Sequence, residues 1–280
     1  MTIENVFSLS PDPRYFYVTP SIEAALNKTR YVINNKRGLT TIVGDIGLGK
    51  SSLMRLLYNE YGLQREAYTA ALMVNPNQPT ATAFLKAICR EYGVETRRSR
   101  MDTEYELRAY LIQQHRAGKT VILFIDEAQQ LTGQMFEQIR QLLNFEDDAV
   151  KLLNIVLAGQ VEMRLKLADK SKRALVSRIA LTSTMDALTL DEVKAMVAFR
   201  FQVANVPNMF TNETCEILYQ WSKGRPRDVV KLADTSLLYA IANGTKTVTP
   251  DIVLAAQNDT PQTPEQLPVK AKGTMREAKA

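Results

Sequence analysis

The sequence TTIVGDIGLGKSS occupies residues 40–52. Four of its residues have the spacing G-x-x-x-x-G-K-S/T of a phosphate-binding loop: Gly44, Gly49, Lys50 and Ser51. Glycines let the backbone turn with its N–H groups pointing inward, which forms a concavity that suits a triphosphate. An apolar, β-branched run precedes the loop at 39–43, and apolar residues at helical spacing follow it at 52–61. The stretch therefore predicts a nucleoside triphosphate site between a strand and a helix.

The polar residues of this loop have separate predicted roles. Lys50 can reach the β- and γ-phosphates as a point charge, and the Ser51 hydroxyl can bind Mg²⁺. The predicted nucleotide contacts are Gly44, Asp45, Gly47, Leu48, Gly49, Lys50, Ser51 and Ser52.

A second polar site ends the apolar run VILFIDEA at 121–128. In a parallel sheet the carboxyl end of this strand opens beside the phosphate-binding loop. Asp126 is then placed to hold the hydration shell of Mg²⁺, and Glu127 to polarise a water for attack on the γ-phosphate. The alternative is that both acids cap the next helix. A kinase would instead need acceptor-site residues and a phosphate-covering lid, which the sequence does not identify.

The order of predicted elements indicates the fold class. Strands alternate with helices up to about residue 186, which favours an α/β fold with a mostly parallel sheet and helices on both faces. Beyond it the pattern is helical, starting with a capping box at Thr189 and Glu192, and its one strand-like run is KTVT at 246–249. We predict a nucleotide-binding α/β domain at 1–186, with an extended segment at 1–20 packed on its surface, a helical lid domain at 187–257 and a flexible, polar and basic tail at 258–280.

Composition narrows the class of protein. The chain has 280 residues, 45% of them hydrophobic, and a net charge of +5, which allows contact with a polyanion without requiring it. Its start lacks the pattern of a signal peptide, and no apolar run approaches the roughly 18 residues of a membrane span. Cys89 and Cys215 have no metal-ligand spacing and indicate reduced thiols in a cytoplasmic protein.

With these motifs the sequence resembles the AAA+ ATPases over roughly residues 1–257. The resemblance implies that the nucleotide is ATP, bound with Mg²⁺, and that its hydrolysis controls assembly of an oligomer. It also places Gln160, at the end of the strand that follows VILFIDEA, at the sensor-1 position that helps to orient the attacking water. Asparagine or threonine is commoner at that position.

The resemblance implies two further roles for arginines. S-R-I at 177–179 is similar to the element that supplies an arginine finger, Arg178, to a neighbouring subunit; Arg173 is the second candidate, and an ordinary surface arginine is the alternative. G-R-P-R at 224–227 is similar to sensor 2, which makes Arg227 a γ-phosphate contact from the lid. There is also a physical reason to notice this segment, because the dipole at a helix start disfavours its two arginines, Arg225 and Arg227, by about 0.3–1 kcal/mol each, and an anionic phosphate would remove this conflict.

Within the AAA+ proteins the chain resembles the ExeA/GspA-like group. The shared segments are FSLSPDPRYFY at 7–17, the phosphate loop with Gly47, LLNFE at 142–146, LAGQ at 157–160, SRI at 177–179 and GRPR at 224–227. The same core resembles the TnsC/TniB/MuB-like regulators of DNA transposition. Secretion-associated members add membrane and cell-wall-binding parts, which this sequence lacks, so we expect an ATP-dependent ring or filament on double-stranded DNA that recruits a transposase. The alternative is a secretion or protein-assembly ATPase that acts on protein partners without DNA.

The expected DNA contacts are Arg97, Arg98 and Arg100. Spaced arginines can neutralise phosphates without reading bases, although a solvated loop explains them equally well. Four basic residues of the tail can bind DNA, dock a protein or do neither: Lys270, Lys272, Arg276 and Lys279.

Overall fold

The computed structural model describes residues 6–8, 12–147 and 150–261. Contacts between Cα atoms divide the chain into two compact units. Among the described residues, those from 12 to 187 form the α/β unit, and those from 188 to 261 together with 6–8 form the helical unit.

The α/β unit is built on a five-stranded parallel sheet. The strands of this unit are β1 (Leu39–Val43), β2 (Tyr68–Met73), β3 (Thr120–Ile125), β4 (Glu146–Asp147), β5 (Val150–Lys151), β6 (Leu153–Gly159) and β7 (Ile179–Thr184). The sheet has the order β2-β3-β6-β1-β7, while β4 and β5 form a separate antiparallel pair. At the carboxyl edge, Val43 of β1 lies opposite Gly159 of β6 and Thr184 of β7. This register brings the loops after β1, β3 and β6 to the same edge.

Helices cover both faces of this sheet. They are α1 (Pro20–Asn34), α2 (Lys50–Gly62), α3 (Ala81–Glu91), α4 (Arg100–Arg116), α5 (Gly133–Leu142), α6 (Val161–Leu167) and α7 (Arg173–Val176). Alternate residues of β3 enter two different apolar clusters, because successive side chains of a strand point to opposite faces. Leu123 packs in the cluster with α3 and α5, and Phe124 packs in the cluster with α1 and α2. The predicted α/β fold with a C-terminal helical region is confirmed.

The helical unit contains α8 (Leu190–Ala204), α9 (Asn212–Ser222), α10 (Pro226–Ala242) and α11 (Pro250–Asp259). The predicted capping box is present, with the Thr189 hydroxyl accepting from the Glu192 N–H and the Glu192 carboxylate accepting from the Thr189 N–H. Phe7 makes edge-to-face contacts with Phe201 and Phe210, each at 5.6 Å between ring centroids. These contacts assign residues 6–8 to the helical unit, so the prediction that the whole of 1–20 packs on the α/β domain was wrong for them.

Several element boundaries differ from the sequence prediction. KTVT at 246–249 is not a strand, and α11 extends to Asp259, past the predicted end of the helical domain at 257. Arg100, for which a solvated loop was the alternative interpretation, is the first residue of helix α4, because the Ser99 hydroxyl accepts hydrogen bonds from two N–H groups of its first turn. The tail residues Lys270, Lys272, Arg276 and Lys279 lie outside the described residues. Within the described ranges, no helix is long and apolar enough to cross a bilayer.

Candidate nucleotide-binding and hydrolysis site

The phosphate-binding loop connects the end of β1 to the start of α2. Gly47 and Gly49 have φ angles of 81° and 93°, in the left-handed region that glycine adopts without strain. Gly49 is the N-cap of α2 and Lys50 is its first residue. The loop therefore ends at a helix N-terminus, where unpaired N–H groups and the helix dipole favour an anion.

Close packing also restricts the loop to glycine. A Cβ at Gly44 would lie 3.0 Å from the Met185 carbonyl oxygen, and one at Gly49 would lie 3.3 Å from Cε2 of Phe16. The Phe16 ring thus packs directly on the loop. The Leu48 side chain is 5% exposed and lies in the apolar cluster with α1 and α2. We therefore expect Leu48 to contact the nucleotide through its backbone.

Lys50 is buried with its ammonium group against the loop. Nζ donates to the carbonyl oxygens of Gly44 and Asp45 at 2.8 and 2.7 Å. Asp45 and Ser51 are exposed and Ser52 is half-buried. The loop thus presents a lysine, a hydroxyl and backbone N–H groups on one short segment.

The carboxyl end of β3 carries the two predicted acids. Asp126 is 3% exposed, and its carboxylate accepts a hydrogen bond from the Glu127 N–H at 2.9 Å. Burial nevertheless raises the pKa of the Asp126 carboxyl above its ordinary value, against the opposing effect of the nearby Ser51 hydroxyl and of the Glu127 N–H. A carboxylate that burial destabilises as an anion is stabilised by a nearby cation. Ser51 and Asp126 therefore fit the first and outer ligand shells of Mg²⁺.

Glu127 is held in an uncommon backbone conformation. Its φ and ψ angles of 51° and 35° are left-handed, which costs a non-glycine residue about 1 kcal/mol or more. Its Oε2 accepts from Nε2 of Gln129 at 2.5 Å and from Nε2 of Gln160 at 3.4 Å. The structure therefore brings Glu127 and Gln160 together, as their predicted roles require.

Gln129 and Lys166 are site residues that the sequence analysis missed. Gln129 lies in a 3₁₀ turn at Ala128–Gln130, and the Lys166 ammonium group donates to the Gln129 carbonyl oxygen at 2.5 Å. The one available signal was the position of Gln129 two residues after Glu127. A long amide there reaches the end of β6 only because β3 and β6 are neighbours.

The predicted arginine finger makes a contact within its own chain. Arg178 is half-buried, and its Nη1 donates to the Arg140 carbonyl oxygen at 3.4 Å. Arg173, the second candidate, is the first residue of α7 and is exposed.

In the helical unit, the GRPR segment forms the start of α10. Arg225 is the N-cap, and its guanidinium lies 3.9 Å from the carboxylate of Asp228, which is 1% exposed. The predicted conflict between Arg225 and the helix dipole is thus offset by an acid in the first turn. Arg227 is exposed.

Two of the three arginines predicted to contact DNA are engaged with acids. Arg97 pairs with Glu95 and Glu106, each at 2.9 Å, and Arg100 pairs with Glu104 at 3.0 Å. Arg98 is exposed. These pairs reduce the net positive charge that the segment offers to a phosphate backbone.

Comparison with known proteins gives the family of the nucleotide-binding part of the chain. Residues 33–167 match the family model of the AAA domain, and they contain the phosphate loop, both acids of β3, Gln129 and Gln160. The chain carries an AAA-type ATPase domain. It therefore binds a nucleotide and is an ATPase.

The chain is also similar to the general secretion pathway protein A of Aeromonas hydrophila, with 35% identity over 260 residues. These residues cover 90% of the chain and 46% of that relative, so the chain spans about half the length of the curated relative that it matches. The expectation that the missing membrane and cell-wall-binding parts favour a transposition regulator over a secretion ATPase therefore has no support.

Several solved structures share the fold at low identity. Cdc6p of Pyrobaculum aerophilum has a TM-score of 0.71 at 18% identity, covering 92% of this chain and 71% of that one. The ORC1 protein of Aeropyrum pernix in complex with DNA has a TM-score of 0.68 at 15% identity, covering 91% and 69%.

Proposed function

We propose that this ATPase domain hydrolyses ATP by in-line attack of a water that Glu127 orients. The observation that carries the proposal is the position of the Glu127 carboxylate. It lies at the carboxyl edge of the sheet, hydrogen-bonded to Gln160 and next in sequence to Asp126, whose carboxylate lies near Ser51 of the phosphate loop. A candidate general base therefore lies beside the loop that holds the phosphates.

The other residues bind and orient. The loop N–H groups and Lys50 hold the phosphates, Ser51 and Asp126 hold Mg²⁺, and Gln160 helps to place the water. When bound, Mg²⁺ supplies positive charge that offsets the negative charge of the phosphates. Arg227, together with Arg178 or Arg173 from a neighbouring subunit, would contact the γ-phosphate. ATP would then favour assembly, and hydrolysis would reverse it.

The test of the catalytic assignment is Glu127→Gln. We expect kcat to fall by roughly 10²–10⁴-fold, the usual contribution of a general base, while the Kd for ATP stays within about twofold. Glu162→Gln is the matched control, because Glu162 is an exposed acid of the neighbouring helix α6. Phosphate release and binding of a fluorescent ATP analogue measure the two quantities. Normal turnover in Glu127→Gln would refute the assignment.

For the macromolecular partner we retain two candidates. One is the ATP-dependent regulator of DNA transposition expected from the sequence, for which the net charge of +5 and the exposed Arg98 allow contact with DNA. A protein-directed ATPase is supported by the similarity to a secretion pathway protein and by the ion pairs of Arg97 and Arg100. For either, we expect a cytoplasmic location, on the basis of the two reduced thiols.

Sedimentation with ATP and Mg²⁺, with and without a random-sequence DNA duplex, separates these candidates. Assembly that requires DNA, and that weakens steeply with salt, would support the transposition regulator. Arg98→Ala should then lower DNA affinity more than Arg97→Ala, because the Arg97 guanidinium is already paired. Assembly that is indifferent to DNA would support the protein-directed ATPase.

A further inference from the structure

Gln129 connects the catalytic acid to the end of the neighbouring strand. Its side-chain amide donates from Nε2 to Oε2 of Glu127 at 2.5 Å and accepts at Oε1 from the Gln160 N–H at 3.1 Å. Gln160 in turn donates from its own Nε2 to the same Oε2 of Glu127 at 3.4 Å. The three residues therefore form a closed ring of hydrogen bonds, and Gln129 uses both ends of its amide in that ring.

The backbone that carries Gln129 is itself fixed. Lys166, on α6, donates to the carbonyl oxygens of Gln129 and Leu131 at 2.5 and 3.1 Å. A Cβ at Gly159 would lie 3.2 Å from the Gln129 nitrogen, so the end of β6 packs directly on the turn. Ala128, the first residue of the turn, and Leu131, which follows the turn, are fully buried. Gln129 thus projects from a rigid element, as a residue that positions another side chain must.

We propose that Gln129 is a positioning residue that sets the direction of the Glu127 carboxylate for hydrolysis, an inference that rests on the proposed role of Glu127. Both amide donors bind Oε2, and this fixes the direction of the other oxygen, Oε1. We assign Oε1 to the attacking water. Without the short bond from Gln129, the carboxylate keeps only the longer contact from Gln160, and its side-chain torsions gain freedom.

The ring requires an amide of this length at position 129. Glutamate would bring a second carboxylate to the oxygen that now accepts a hydrogen bond, and the two negative charges would repel. Asparagine is one methylene shorter, so it cannot span both partners from the same backbone position. Alanine removes both hydrogen bonds and leaves the backbone turn, with its contacts from Lys166, in place.

The test compares Gln129→Ala with Gln130→Ala, an exposed glutamine of the same turn. We expect Gln129→Ala to lower kcat by roughly 10–100-fold, as for a reacting group displaced by about an ångström, with the KM and the Kd for ATP within about twofold. Gln129→Glu should be at least as impaired, whereas Gln130→Ala should retain the kcat of the wild type. Thermal unfolding of each variant checks that the fold is retained.

A double-mutant cycle separates positioning from a general structural effect. In the Glu127→Gln background, Gln129→Ala should cause no further loss, because there is no base left to position. An unchanged kcat in Gln129→Ala, a matching loss of ATP affinity, or a full further loss in the Glu127→Gln background would each overturn the proposal. Normal turnover in Glu127→Gln alone would instead refute the catalytic role of Glu127, so the two failures are distinguishable.

Discussion

At the scale of single residues, the two cysteines show how burial controls reactivity. Cys89 lies in the α/β unit and is fully buried, and Cys215 lies in the helical unit and is 3% exposed. Burial raises the pKa of each thiol from its ordinary value of 9.0 to about 11. The thiolate is the reactive form, so both cysteines are protected by staying protonated as well as by being inaccessible to reagents.

We therefore expect neither thiol to react with iodoacetamide in the native protein at pH 8, and both to react once the chain is unfolded. Between pH 9 and pH 11 the native thiols keep protons that the unfolded chain has lost. The free energy of unfolding therefore falls as the pH rises from 9 towards 11. Mass spectrometry after timed labelling measures the reactivity, and urea unfolding at several pH values measures the stability. Complete labelling of either cysteine under native conditions would contradict the assignment of burial.

Some site residues can be predicted from the sequence and others cannot, for a physical reason. Lys50, Asp126 and Glu127 belong to short local patterns whose spacing reflects their chemistry, so one stretch of sequence indicates each of them. The position of Gln129 depends instead on the left-handed backbone of Glu127 and on the pairing of β3 with β6. Both are consequences of tertiary structure and have no local signature.

At the scale of elements, the glycine of the GRPR segment has a packing role. Gly224 has a φ angle of 74°, and a Cβ there would lie 2.1 Å from the Leu188 carbonyl oxygen. The Leu188 N–H also donates to the Gly224 carbonyl oxygen at 2.8 Å. The turn between α9 and α10 thus packs on the segment that leads into α8, which leaves no room for a side chain.

We expect Gly224→Ala to destabilise the helical unit by about 3 kcal/mol or more, through backbone strain and steric overlap together. Gly244→Ala is the matched control, because Gly244 has a φ angle of 66° but nothing within 4 Å of an added Cβ. That change should cost only the strain, about 1 kcal/mol. Urea unfolding followed by the fluorescence of Trp221, the one tryptophan of the chain, reports on this unit. Equal losses in the two variants would refute the steric argument.

Elements were predictable where a pattern extends over several residues. The five strands of the sheet are long enough to show apolar runs, and the runs at 39–43 and 121–125 coincide with β1 and with all but the first residue of β3. Strands β4 and β5 have two residues each, too few to show any alternation. The start of α4 at Arg100 has a local signal in Ser99, which caps the helix, but the neighbouring Arg97 and Arg98 favoured a loop interpretation of the segment.

At the scale of the whole molecule, the proposed assembly makes each site depend on two subunits. Glu127 would act on the ATP of its own subunit, whereas Arg173 or Arg178 would act on the ATP of the next. Such a head-to-tail interface is heterologous, so every subunit both offers an arginine and receives one. The single chain shows Arg173 exposed and Arg178 held on the Arg140 carbonyl oxygen, which makes Arg173 the more accessible of the two.

Mixing two inactive variants tests this arrangement. Glu127→Gln subunits lack the base but keep both arginines, and Arg173→Ala/Arg178→Ala subunits keep the base. We expect little phosphate release from either variant alone and a recovery of phosphate release when equal amounts are mixed. In a random mixture, about one interface in four joins a subunit with an intact Glu127 to a subunit with both arginines intact. Arg173→Ala and Arg178→Ala, each mixed separately with Glu127→Gln, show which arginine is responsible.

The control for this recovery is a mixture of Glu127→Gln with Lys50→Ala. Both defects lie on the nucleotide-binding side of the interface, so no arrangement of these subunits completes a site and phosphate release should stay low. Recovery in the first mixture and not in the second, with equal co-sedimentation of both mixtures in ATP, would mean that catalysis crosses the interface. If the first mixture co-sediments with ATP yet releases no phosphate above its components, the arginines do not act in trans, and the ATP dependence of assembly needs another cause.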